Sequence, residues 1–180
     1  MDIAHTPILI ISSTNRPKSL TRSVSDHYAK LLQAKHTPTS LLDLQDLPAD
    51  FTRGALYHNK GKNKDFNRLT AQLDAHQKYV FVVPEYNGAF PGVLKAFIDG
   101  YASPQIFKGK KAALVGVSRG HQGNIMGLCY LQHILTYLGM TVFPNQPKLS
   151  NMQETSEAYL QQHPEHLARL SAQADGFINF

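Results

Sequence analysis

Apolar and polar positions along the chain fall into blocks whose period switches repeatedly between that of a buried strand and that of a helix. Pro7–Ser12 (PILIIS) is a short apolar run with no polar partners, the pattern of a strand covered on both faces. Ser19–Ala34 follows with Leu20, Val24, Tyr28, Leu31 and Leu32 at helical spacing. Ser40–Leu44 alternates as an edge strand does and ends before Pro48, and Gln45–Lys64, with Pro48, Gly54 and Gly61, reads as a long loop. Asp65–Lys78 places Phe66, Leu69 and Leu73 along one side of a helix.

The second half repeats the alternation. Tyr79–Val83 (YVFVV) is the strongest strand signal, rich in β-branched and aromatic residues. Pro91 opens a helix carrying Val93, Leu94, Phe97 and Ile98, which Gly100 ends. Lys110–Val117 reads as another buried strand, Asn124–Leu138 as a helix stopped by Gly139, Thr141–Pro144 as a short edge strand and Glu154–Phe180 as a final helix. Five such alternations predict an α/β fold: a doubly wound parallel sheet with helices on both faces. With right-handed crossovers, five strands suit the flavodoxin-like order 2-1-3-4-5. No repeat, low-complexity tract or linker interrupts the pattern, so residues 1–180 are expected to form a single domain.

Composition narrows the class. Hydrophobic residues at 42% and charged residues at 17% exclude wholesale disorder. The apolar runs are too short to cross a bilayer, and Asp2 stands where a secretory leader needs a basic residue, so neither a membrane span nor a leader is expected. One cysteine, Cys129, permits no internal disulfide and suits a reducing, cytoplasmic setting; set among Met126, Leu128 and Ile134, it reads as a buried packing residue. The net charge of +5 favours anionic partners. Nucleic acid is not expected, because the only basic cluster, His58–Arg68, lacks interleaved aromatics on which bases stack. The nine histidines show no trusted metal spacing; His163 and His166 are three apart without an evident third ligand and read as surface residues.

In an open parallel sheet, ligands bind outside the carboxyl ends of the strands where the strand order reverses. That nominates the loops after the first, third and fourth main strands. The first, Ser12 to Ser19, puts hydroxyls and the Arg16 guanidinium beside a helix start, whose unpaired amides and dipole favour an anion. The plainer reading is that Ser19 only caps the helix and Arg16 is a surface residue. No Walker or G-x-G-x-x-G pattern is present. The second, Pro84 to Phe90, can offer backbone groups to the edge of a planar heterocycle and the Tyr86 and Phe90 rings to its faces, or it is simply a tight Asn87-Gly88 turn. The third runs from Ser118 to Gly123 and includes His121. Lys95 and Asp99 read as an intrahelical ion pair.

These residues resemble the NAD(P)H-dependent FMN reductase family, the flavodoxin-like group that includes chromate and quinone reductases. The family's first loop, G-S-x-R-x-x-S-x-N, is matched by Ser13-Thr14-Asn15-Arg16-Pro17-Lys18-Ser19-Leu20-Thr21, with Ser13 in place of glycine and Thr21 in place of asparagine. Its P-E-Y-N-G-S-x-P-G-x-L-K-N-x-x-D signature is matched across Pro84–Asp99, with Ala89 and Ala96 replacing polar residues. A serine and glycines after the fourth strand appear as Ser118-Arg119-Gly120 and Gly123. The resemblance implies that Thr14, Arg16, Ser19 and Thr21 hold the FMN phosphate, that Pro84, Glu85, Tyr86 and Asn87 meet the isoalloxazine, and that Ser13, Leu20 and Gly88 also belong to the cofactor site. It places Ser118, Arg119 and Gly120 on the ring's other side. It also implies hydride transfer from NADPH or NADH through FMN to a small acceptor such as free flavin or quinone, ping-pong kinetics, no catalytic side chain, no metal and a homodimer or homotetramer.

Two other functions fit parts of the sequence. Gly116-Val117-Ser118-Arg119-Gly120 matches G-x-S-x-G, so Ser118 could be a hydrolase nucleophile with Glu154 or Glu157 and His163 or His166 completing a triad. A flavodoxin-type electron carrier would bind FMN without turning over a substrate, although such carriers usually present an acidic face and this chain is basic.

Overall fold

The computed structural model describes residues 6–101, 103–154 and 157–180; the leader reading at Asp2 lies outside them. Four strands, β1 (Ile8–Ser12), β2 (Thr39–Asp43), β3 (Lys78–Pro84) and β4 (Lys111–Val117), form a parallel sheet continued by the two-residue β5 (Thr141–Val142), in the order β2-β1-β3-β4-β5. This is the expected flavodoxin-like topology. The edge beyond β4 is split: β5 pairs with Lys111 and Ala112, and a further short strand, β6 (Lys148–Leu149), pairs with Gly116 and Val117. Two residues carry no readable period, so sequence alone did not mark β6.

The apolar runs are buried on both faces because successive side chains enter opposite layers. Leu9 and Ile11 join a core with Phe66, Leu94, Phe97 and Leu128, on the side of helices α2 (Phe51–Gly54), α3 (Lys64–Asp74), α4 (Gly92–Gly100) and α5 (Ile125–Tyr137). Ile8 and Ile10 join Val24, Tyr28, Leu160 and Phe177, under α1 (Leu20–Ala34), α6 (Glu157–Gln161) and α7 (Pro164–Asn179).

Several local expectations change. The Gln45–Lys64 segment holds α2 and a turn of 3₁₀ helix at Tyr57–Asn59, and Phe51 anchors it by stacking on Phe66 at 5.8 Å. The final helix is two, broken before Pro164, whose ring disfavours helical geometry at His163; of its expected span, residues 155 and 156 lie outside the described set. Pro91 is the residue before α4, not its first turn. Lys78 leaves the expected helix and opens β3, and its ammonium donates to the Phe177 and Ile178 carbonyls at 3.2 and 2.8 Å, closing the end of α7. Cys129 is exposed rather than packed, and His166 is buried rather than on the surface. The Lys95–Asp99 pair forms as expected, at 2.6 Å.

Candidate active site

The strand order reverses between β1 and β3, and the chain leaving β1 stays tied to β3 by the Ser13 amide bonding the Val82 carbonyl at 3.0 Å. Ser13 is fully buried and donates its hydroxyl to the Ile11 carbonyl at 3.2 Å; it does not adopt the left-handed backbone, so the missing glycine leaves no strain here. The left-handed residue of this loop is Lys18, at φ +51°. Ser19 is the N-cap of α1, and its hydroxyl accepts from the Arg22 amide at 3.1 Å. The amides of Leu20 and Thr21, in the first turn, have no intrahelical acceptor and remain for a ligand. Arg22 is drawn aside: it bonds Asp43 at the end of β2 at 2.8 Å and also Asp26, and those carboxylates, Asp43 foremost, raise its pKa.

After β3, Asn87 and Gly88 take φ +52° and +75°, the mirror-image turn that an Asn-Gly pair favours. Tyr86 and Ala89 exchange backbone bonds of 2.8 and 3.1 Å across it. The Tyr86 hydroxyl lies 2.8 Å from the Thr14 Oγ1, which also accepts from the Arg16 amide at 3.3 Å, so one side-chain pair joins the first two loops. Asn124 joins the second to the third. From a left-handed backbone (φ +65°) its amide donates to the Glu85 carboxylate at 3.1 Å, while its side chain donates to the Val83 and Pro84 carbonyls at 3.1 and 3.0 Å. Within the third loop, the Ser118 hydroxyl donates to the Gly120 carbonyl at 2.8 Å and accepts from the Gly123 amide at 3.0 Å.

Between the loops lies a cavity of about 210 Å³, lined by Arg16, Lys18, Ser19, Leu20 and Thr21 from the first, Pro84, Glu85 and Tyr86 from the second, and Val117, Ser118 and Arg119 from the third. Nine of the fourteen residues expected at the site meet on this wall. Ser13 and Thr14 are buried and do not line it; Asn87, Gly88 and Gly120 are exposed outside it, as is His121. Lys18, Val117 and Asn124 escaped the sequence reading. In the sequence Lys18 is a cation inside the loop, whereas Asn124 marks only a helix start and no local pattern signals its reach across to β3.

The wall therefore presents Arg16, Lys18, hydroxyls and two free helical amides from the first loop, Glu85, Tyr86 and Pro84 from the second, and Ser118 and Arg119 from the third. A family model described as NADPH-dependent FMN reductase matches residues 6–154. The chain belongs to that family. It is accordingly a flavin-dependent oxidoreductase with FMN as cofactor and NADPH or NADH as electron donor, and the residues present fit that group: anion donors suited to a phosphate, and polar groups of the second and third loops suited to the edge of a ring. The chain is 27% identical over 167 residues to an FMN-dependent NADH:quinone oxidoreductase of Bordetella avium, covering 74% of this chain and 80% of that one. It is 32% identical over 108 residues to a 2-hydroxy-1,4-benzoquinone reductase of Burkholderia sp., covering 58% and 52%. Among solved structures, FerB, a flavoenzyme NAD(P)H:(acceptor) oxidoreductase from Paracoccus denitrificans, superposes with a TM-score of 0.73 at 21% identity over 97% of this chain and 96% of that one. The apo form of the NADH:FMN oxidoreductase EMOB gives a TM-score of 0.74 at 19% identity over 96% and 88%. Neither alternative function gains support. The Ser118 hydroxyl is occupied by loop contacts, His166 faces the Ser150 carbonyl at 3.2 Å, and the Glu157 side chain lies outside the described set.

Proposed function

We propose that this family member is a quinone-directed reductase, a single FMN-binding domain over residues 1–180 whose three-loop crevice holds the cofactor. The observation that carries the reading is the convergence of Arg16, Lys18 and the free amides of Leu20 and Thr21 on the cavity that Tyr86 closes. Ser13, Thr14, Arg16, Ser19, Leu20 and Thr21 serve the phosphate, the buried Ser13 and Thr14 by shaping the loop rather than lining it. Pro84 to Gly88 and Ser118 to Gly120 frame the ring. When bound, FMN supplies the two-electron chemistry that links the nucleotide donor to the acceptor. The chain's own residues bind and orient: the Thr14–Tyr86 and Asn124–Glu85 contacts hold the loops in register, and the half-exposed Tyr86 offers apolar surface to a flat acceptor, while Phe90 packs against the core. No side chain is assigned as acid, base or nucleophile. A quinone is favoured because the comparisons with quinone reductases agree with that apolar surface.

No helix among the described residues is long and apolar enough to cross a membrane. The exposed, single Cys129 suits a cytoplasmic setting. We also infer a homo-oligomer, a dimer as its smallest form, paired through α5. That helix is largely apolar: Leu128, Leu131 and Leu135 face the core, while Met126, Tyr130 and Tyr137 stand exposed at helical spacing, with His133 among them. Purified protein reconstituted with FMN should bleach under anaerobic NADPH or NADH and recolour on addition of a benzoquinone. FMN that binds but stays oxidised under both nucleotides would refute the reading.

A further inference from the structure

The start of α7 brings three metal-ligating groups together, 163 to 166, far from the chemistry above in sequence and function. His163 immediately precedes the helix, Pro164 opens it, and Glu165 and His166 lie in its first turn. The ligand atoms of His163, Glu165 and His166 all fall within 4.8 Å of one another, the only such group of three or more among the described residues. The His163 Nδ1 is 3.2 Å from the Glu165 Oε1, and the His166 Nε2 is 3.9 Å from that oxygen and 3.2 Å from the Ser150 carbonyl oxygen. A tetrahedral ion with bonds of about 2.0–2.1 Å needs ligand-to-ligand edges of about 3.3 Å, and these separations bracket that value.

We propose that His163, Glu165 and His166, with the Ser150 carbonyl, bind one divalent transition-metal ion of the zinc class. Two imidazoles and one carboxylate select Zn²⁺, Ni²⁺ or Cu²⁺ over Mg²⁺ or Ca²⁺, which prefer all-oxygen sites. The rings are held in place before any ion arrives: Tyr159 packs on His163 at 4.4 Å, and the two imidazole rings lie 5.5 Å apart. His166 is only 4% exposed, and with Ser150, His163 and Glu165 it lines a cavity of about 180 Å³ also bordered by Asn151 and Arg169. Arg169 and the positive end of α7 oppose a cation, yet the Arg169 guanidinium is directed to the Lys148 carbonyl at 3.2 Å, and the Glu165 carboxylate offsets the remaining charge.

The ion would join the α6–α7 break to residue 150, and the next two amides, at Asn151 and Met152, bond the Gly120 and Ser118 carbonyls at 2.9 and 3.0 Å. It thus braces one wall of the crevice without touching its contents. The test uses the untagged full-length chain, titrated calorimetrically with Zn²⁺ and separately with Co²⁺. One equivalent should bind, Co²⁺ should show the intense visible absorption of a tetrahedral site, and the melting temperature should rise with Zn²⁺. His163→Ala and Glu165→Gln, whose side chains are 33% and 52% exposed and so leave the core intact, should each weaken binding by about tenfold or more while FMN affinity stays unchanged. Absence of a stoichiometric ion in the wild type, or binding that survives both variants, would overturn the proposal and assign any uptake to the other histidines.

Discussion

Arg16 and Ser13 illustrate how differently two residues of one loop can serve an anion. Arg16 is exposed and lines the crevice, so its contribution is a charge-assisted contact that costs nothing in the core. Ser13 is buried, bonded to Ile11 and off the wall, so it works through backbone shape. Arg16→Ala should therefore weaken FMN binding by about ten- to a hundredfold, the worth of one or two hydrogen bonds to a charged group, with circular dichroism and melting temperature unchanged. Fluorescence titration of FMN measures it, and unchanged affinity would remove Arg16 from the phosphate site. The residue chemistry of this loop was legible because hydroxyls, a guanidinium and a helix start coincide in nine consecutive positions. The contacts that lock the loops were not, since Thr14–Tyr86 and Asn124–Glu85 span 72 and 39 residues and leave no local pattern. Gly127 is a similar case: a β-carbon there would lie 2.7 Å from the Ala89 backbone and 2.1 Å from the Asn124 side chain, so its smallness serves the crevice from another helix.

Among the elements, α5 carries the strongest consequence for assembly. Its stripe of Met126, Tyr130 and Tyr137 has exposures of 50%, 48% and 89%, and a groove of about 430 Å³ between α4 and α5, bordered by Tyr137 and Ile98, lies alongside it. Large aromatics of this kind anchor interfaces when desolvated. Wild-type protein should sediment as a dimer or tetramer at micromolar concentration, and Tyr130→Glu should shift it to monomer without loss of helicity; a monomeric wild type would refute the pairing. The same helix shows why some of the fold was unreadable. Periodicity marks a helix's covered face only when its other face is polar, and the outer side of α5 carries Met126, Tyr130 and Tyr137 beside His133 and Thr136, so Cys129 read as buried. By contrast the runs at Pro7–Ser12 and Tyr79–Val83 were legible because a strand buried on both faces has to be a continuous apolar run. The break at Pro164 was written in the sequence, but the apolar positions on either side, Leu160 and Leu167, kept the appearance of one helix.

At the scale of the whole molecule, both cores bury tyrosine hydroxyls, and this sets the alkaline limit of the fold. Burial, the first cause in each case, raises the pKa of Tyr28 and of Tyr79 far above the ordinary 10.0. Tyr79 has partners, donating to the Leu73 and His76 carbonyls at 2.6 and 2.8 Å, whereas the Tyr28 hydroxyl is buried with no hydrogen-bond partner among the described residues. Above pH 10 the unfolded chain releases both protons while the native state keeps them, so the native state binds more protons and stability falls as pH rises, by about 1.4 kcal/mol per pH unit per tyrosine. Lys78 and Lys110 act in the opposite sense, because burial lowers their pKa values and the unfolded chain holds those protons longer. Their effect ends near 10.5, and beyond it the tyrosines act unopposed. Melting temperature should accordingly change little on approaching pH 10 and drop steeply past 10.5, with Tyr28 and Tyr79 showing no tyrosinate absorbance until the protein unfolds and Tyr101, raised by burial and by its bond to Asp74, titrating late as well. Tyr28→Phe removes a buried hydroxyl that has no partner among the described residues, so it should raise stability at neutral pH by about 1 kcal/mol and make the alkaline slope shallower. An unchanged slope in that variant, or free titration of all the tyrosines in the native state, would show that the Tyr28 phenol is not held neutral by the core.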